Sequence, residues 1–258
     1  MLELYHWAPN GPWLKPLIVI AEKQIDCTLR PIDVLAFEQY GDKVPPRSLE
    51  TRLNQEGEGP LLVQDGKQLT ESFFLCEFLD SAFDGPALRP TNPVAFNRML
   101  AWARFSNEIF MPSANTLGCR QFLAPQLAGK TMPVDVLGKI ELSFVREAWQ
   151  RAYANDFPPA MIDDSRRKIT LALDRIEKAL IDGPYLLGKD YSLADVDAFS
   201  ISRSLPVLAP DLVKGRPLWA DWMARIEARP AVQASLQIDG WYQPENVFAP
   251  GPEHSRWG

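Results

Sequence analysis

The residues best able to do chemistry in this sequence meet at one junction, Thr70-Glu71-Ser72, where a short strand pattern runs into a helical one. A hydroxyl and a carboxylate stand side by side there. The unpaired backbone N–H groups and the positive end of the helix dipole favour a bound anion at such a point. Pro60 opens the strand just upstream, a position where its missing N–H is tolerated and where a cis bond would re-aim the backbone. A second candidate lies on the loop Ala8 to Trp13. Asn10 carries an amide able to donate a hydrogen bond, and the same residue type also suits a plain Pro-Asn-Gly turn.

Several other chemistries drop out. There is no C-x-x-C dithiol and no Gly-rich phosphate loop, and His6 and His254 have no metal-ligand spacing. Cys27, Cys76 and Cys119 are odd in number and widely separated, which argues against a disulfide framework and for a reducing cytoplasmic setting. A net charge of −6 disfavours a nucleic-acid partner. No apolar run reaches the length of a membrane span, and MLELYHWAPN lacks the features of a signal peptide.

The elements that must position these residues follow in order. Leu2 to Tyr5 alternates as a strand, and Trp13 to Lys23 reads as a helix with Pro16 in its first turn. Leu29 to Val34 is a second strand, expected to run parallel to the first. Leu61 to Val63 and Gln68-Leu69 flank Asp65-Gly66, a strong two-residue hairpin signal. The next helix places Leu75/Leu79 and Phe74/Phe78 at i,i+4 spacing. This β-α-β, hairpin, helix order predicts a thioredoxin-like α/β domain over residues 1–83. DGPALRPTNP, residues 84–93, forms a Pro-rich linker. An all-helical domain is expected over 94–238, with segments at Val94 to Leu117, Val134 to Ala154, Ile162 to Leu180 and Pro217 to Ala228. Residues 239–258 are expected to lie extended on the surface. Ser192-x-x-Asp195 reads as a capping box flanked by the staple pair Tyr191 and Val196.

With its two domains in this order, the chain resembles a glutathione S-transferase. The matching residues are Pro60 for the family's cis-proline, Asp65-Gly66 for the hairpin, Glu71-Ser72 for the acid-hydroxyl pair, and Ser192 with Asp195 for the buried cap. The stretch between Phe110 and Ile162, the triplets Phe37-Glu38-Gln39 and Leu14-Lys15-Pro16, and the long tail look like the bacterial lignin β-etherases. The resemblance implies that glutathione is the cosubstrate. Ser72 would hold its glutamyl carboxylate and Glu71 its ammonium group, and the backbone of Gly59-Pro60 would pair with its cysteinyl unit. Gln39, Lys43 or Arg52 would reach the glycine carboxylate. The other substrate would be an aromatic electrophile; Trp102, Phe105, Phe110, Phe122 and Trp149 are candidates for an aromatic pocket between the domains, with core packing the reading favoured for most of them.

The departures from the family pattern concern the sulfur. A free thiol titrates near ~8.5, so a nearby donor is needed to make the thiolate available at neutral pH. The family's Ser, Cys or Tyr slot holds Trp13, preceded by Pro12, which leaves Asn10 as the candidate donor; Tyr5 and His6 read as structural. Glu58-Gly59 stands where a β-branched residue is expected before Pro60. Two functions follow. One is a transferase acting on an aromatic electrophile, opening a β-aryl ether. The other is a catalytically degraded subunit that stabilises a homo- or heterodimer with a related chain.

Overall fold

The computed structural model describes residues 1–54, 56, 59–238, 240, 241 and 243–251. Glu58, Tyr242, His254 and Trp257 therefore lie outside the described residues. Strand β1 (Leu2–His6) leads through a 3-10 turn at Gly11–Trp13 into helix α1 (Leu14–Lys23). Strand β2 (Thr28–Pro31), a one-turn helix α2 (Leu49–Arg52), strands β3 (Leu61–Gln64) and β4 (Lys67–Leu69), and helix α3 (Ser72–Ala82) follow.

The sheet order is β2-β1-β3-β4. β2 is parallel to β1 with Leu4 opposite Leu29, and β3 is antiparallel to both β1 and β4. β2 is shorter than the expected Leu29 to Val34. All four of its residues are exposed on the sheet edge, and its pairing with β1 ends at Pro31, which has no N–H to give. The hairpin forms as read: Asp65 and Gly66 both take positive φ, 48° and 79°, the backbone of a type I′ turn. No peptide bond among the described residues is cis, so the Gly59–Pro60 bond is trans, contrary to the expectation for Pro60. Trans is the favoured X–Pro isomer by roughly 0.5–1 kcal/mol. Leu75 and Leu79 of α3 are buried against α1, while Phe74, one residue round the helix, is exposed.

From Pro93 onward every regular element among the described residues is helical. A long rod runs from α4 (Pro93–Phe105) through a π turn at Ser106–Phe110 into α5 (Met111–Gly118), then a second π turn and α6 (Ala124–Leu127). The expected helix Val134 to Ala154 is broken into α7 (Val134–Leu137) and α8 (Ser143–Ala154), with Gly138 closing the first piece. α9 (Pro159–Ala179) buries the stripe Ile169, Leu173 and Ile176. α10 (Leu193–Ser202), α11 (Leu205–Leu208), α12 (Pro210–Val213), α13 (Pro217–Glu227) and α14 (Pro230–Leu236) complete the bundle.

Every residue of α10 is buried. It packs on α1, α3, α4 and α13, which makes it the central post of the molecule. Its capping box forms, but Asp195 does more than cap. One carboxylate oxygen accepts from the Ser192 N–H and hydroxyl, both at 3.0 Å. The other accepts from the Leu186 N–H at 2.9 Å and from the Trp222 indole at 3.0 Å. Burial pushes this carboxyl up from 3.8 to about 6 despite those donors.

A second buried group joins the two halves. Lys15 of α1 lies 2.6 Å from Asp197 of α10, both side chains essentially without solvent contact. Lys15 also donates to Asn107 Oδ1 at 2.7 Å. Burial is the largest single influence and works against the lysine charge, but Asp197 and Glu56 together outweigh it and the Lys15 pKa is raised. On the flank, Lys23 and Arg89 share Asp80 at 3.1 and 2.9 Å, and Arg229 holds Glu22 through two bonds at 2.6 and 2.9 Å.

Two outcomes follow. Lys15→Met leaves Asp197 buried and unpaired and should cost about 3–5 kcal/mol in urea unfolding, whereas Lys15→Met with Asp197→Leu should recover most of it. For Asp195, the folded protein holds the proton more tightly than the unfolded chain between pH 3.8 and about 6. The stability of the native protein relative to Asp195→Asn should therefore be greatest below pH ~4. It should fall by about 3 kcal/mol as pH rises through 6.

Candidate active site

The turn between β4 and α3 puts Glu71 and Ser72 at the helix start. Glu71 adopts φ 68°, ψ 101°, a left-handed conformation that costs a non-glycine residue roughly 1–3 kcal/mol and is concentrated at functional sites. It directs Ser72 fully inward: Ser72 has no solvent exposure. The Ser72 N–H donates to Glu56 Oε2 at 2.7 Å, and the Ser72 hydroxyl donates to Glu56 Oε1. The start of α3 is thus a working carboxylate seat, and it holds the side chain of Glu56. Burial raises the Glu56 pKa, opposed by the charge of Lys15 and the two Ser72 donors.

Gln39, Gly59 and Pro60 come together, as grouped from the sequence. They line one cleft beside the sheet with Tyr5, Arg47 and Asn54. Lys43 and Arg52 are committed elsewhere: Lys43 pairs with Glu38, and Arg52 reaches Glu141 of the helical half at 2.7 Å. Arg47 is the cation at this cleft instead. It stacks over Tyr40 at 4.9 Å and donates to the Thr51 carbonyl at 2.7 Å. Nothing in the Pro-Pro-Arg-Ser sequence distinguishes it from other surface arginines.

Asn10 occupies the wall of a second, narrow cavity of about 40 Å³, well below the ~300–1,000 Å³ usual for small-molecule sites. Its side-chain oxygen accepts from Ser204 Oγ at 2.8 Å, and its NH2 donates to the Val247 carbonyl at 3.1 Å. The amide is therefore oriented by the helical half and the tail together. Trp7, Trp13 and Met111 line the apolar side, with Trp7 edge-on to Trp13 at 6.4 Å. Glu56, the side chain held on the carboxylate seat, borders the same space as the Asn10 loop, although Ser72 itself does not line it. His6 lies outside it, buried with Nδ1–H donating to the Trp7 carbonyl, and burial lowers its pKa.

None of Trp102, Phe105, Phe110, Phe122 and Trp149 lines this cavity. Phe110 and Trp149 are core residues, Trp149 against Phe37 at 4.6 Å, and Trp102 and Phe105 flank the Arg175 guanidinium at 4.4 Å. Spacing along a helix reports which residues share a face, not which of them meets a cavity. Among the described residues of the tail, Phe248, Pro250 and Gly251 are buried. Val247 to Gly251 closes the cavity, with Phe248 stacked on Phe122 at 6.0 Å and packed over Gly118. A Cβ at Gly118 would fall 2.2 Å from the Phe248 ring. The tail had no visible destination because its partners are far away in sequence.

The family model for the glutathione S-transferase N-terminal domain matches residues 12–87, and that for the C-terminal domain matches 140–230. Protein LigF of Sphingobium sp. (strain NBRC 103272 / SYK-6) is 31% identical over 246 residues, 92% of this chain and 93% of its own length. The solved structure of beta-etherase LigF from Sphingobium sp. strain SYK-6 superposes with a TM-score of 0.79 at 29% identity, covering 91% of this chain and 98% of that one. A glutathione transferase homolog from Sulfitobacter, solved with bound glutathione, shares the fold, with a TM-score of 0.62 at 21% identity over 91% of this chain and 96% of that one.

The packing of the tail gives a direct test. Gly118→Ala should unseat Phe248 and raise the rate of proteolytic cleavage within 243–251 by at least about tenfold, because overpacking of this kind costs on the order of 1–3 kcal/mol locally. The helix itself should keep its stability.

Proposed function

The chain belongs to the glutathione S-transferase family, whose cosubstrate is glutathione, and we propose that it uses the glutathione thiolate to open the β-aryl ether of lignin-derived aromatic compounds. The observation that carries this reading is the likeness to beta-etherase LigF over nearly the whole chain, together with a cavity whose wall holds Asn10, Glu56 and the apolar faces of Trp7, Trp13 and Met111. In this reading Ser72 takes the glutamyl carboxylate and Glu71 the ammonium group. The backbone of Gly59 and Pro60 pairs with the cysteinyl unit, and Gln39 with Arg47 faces the glycine end. The tripeptide sulfur then lies toward the loop that carries Asn10.

The chemistry asks little of the protein beyond position and charge. The thiolate attacks the carbon bearing the ether oxygen, a C–S bond forms, and the C–O bond breaks with its electron pair leaving on the aryl oxide. The proton given up by the thiol restores the phenol. No hydroxyl stands at Trp13, so the donor to sulfur is the Asn10 amide, held in place by Ser204 and Val247. Trp7, Trp13, Met111 and Phe248 supply the apolar surface for the aromatic rings. The family usually dimerises, and a homo- or heterodimer with a related chain is proposed here too.

The purified chain should bind glutathione in calorimetry and release a phenol from a β-aryl ether substrate when glutathione is present. Asn10→Ala should lower kcat on the order of 10²-fold with little change in KM, the loss expected for one preorganised donor. Absence of glutathione binding, or activity that appears only on mixing with a related chain, would remove the catalytic assignment.

A further inference from the structure

Ser72 turns both of its donors toward a carboxylate that belongs to the chain itself. The proposed function gives those same two donors to the glutamyl end of glutathione. One seat cannot serve two carboxylates, because like charges a few ångströms apart exclude each other. Glu56 is well held in its place: it is buried, and its N–H donates to Asn54 Oδ1 at 2.8 Å. Gly251 of the tail packs against its carbonyl.

Gly59 completes the arrangement. A Cβ at this position would stand 2.7 Å from Glu56 Oε2 and 3.2 Å from Glu56 Cβ. The missing side chain is what leaves room for the Glu56 carboxylate beneath Ser72. A β-branched residue before Pro60 would fill that room. Glycine at 59 and glutamate at 56 therefore work as a pair, and no backbone requirement for glycine explains the first, since Gly59 is not among the glycines with positive φ.

We propose that Glu56 is a built-in competitor of glutathione, seated on Ser72 in the free protein and expelled when the glutamyl carboxylate arrives. This rests on the glutathione reading above. Glu56 then sets the affinity of the glutamyl seat, and Gly59 permits it to do so. A helix cap with no such role would leave affinity untouched on removal, or reduce it.

The test is calorimetric titration of the full chain and of Glu56→Gln, Glu56→Ala and Gly59→Val. Glutathione is one ligand and the dipeptide Cys-Gly, which lacks the glutamyl group, is the other. Glu56→Ala and Gly59→Val should bind glutathione at least about tenfold more tightly than the native chain, and Glu56→Ala should change Cys-Gly affinity by less than about twofold. Adding Ser72→Ala to Glu56→Ala should abolish the gain. Should removal of the cap unfold Glu56→Ala, Glu56→Gln keeps the shape and Gly59→Val keeps the carboxylate, and these two decide. If the folded variants bind glutathione no more tightly than a native chain that does bind it, Glu56 is a cap and the inference falls while the glutathione reading stands. If no form binds glutathione, both fall.

Discussion

The buried pair of Lys15 and Asp197 is the constraint on which the site depends. α1 carries Lys15 immediately after the loop that bears Asn10 and Trp13, and α10 carries Asp197 at the centre of the helical bundle. Two charges without solvent are tolerable only in contact, so the register between α1 and α10 is fixed by electrostatics as well as by packing. That register brings Ser204, just beyond α10, within 2.8 Å of Asn10. It also sets a positive charge close enough to Glu56 to favour its ionised form in a buried seat.

A carboxylate seat built from one N–H and one hydroxyl is a small device, and its contents are decided by what can reach it. In this chain a side chain sixteen residues upstream reaches it first. The same economy holds at the second cavity, where the chain's own tail supplies one wall and fixes the Asn10 amide. At these two places the protein satisfies its buried polar groups internally. A ligand must replace those contacts rather than fill an empty space, which favours a ligand with matching chemistry and rejects one without it.

How much was legible follows from the range of each interaction. The Asp65-Gly66 turn, the α9 stripe and the Ser192-Asp195 box are contacts within a few residues, and the structure has them where the residue types place them. The same box shows the limit: the Leu186 and Trp222 donors to Asp195 come from nine and twenty-seven residues away, and no local pattern announces them. The five candidate aromatics show the same limit: their composition suits a substrate wall as well as a core, and only burial puts Phe110 and Trp149 in the core.

By itself, the sequence determined the order of elements, the hairpin, the helix start at Glu71-Ser72 and the family, because these rest on local backbone preference and on motifs in a fixed order. Tertiary structure alone decided what those motifs face. Asn10 meets Val247 across 237 positions, Lys15 meets Asp197, and Glu56 takes the seat at Ser72. The free energy of such contacts comes from desolvated charge and close packing between distant segments, and only the folded chain brings those segments together.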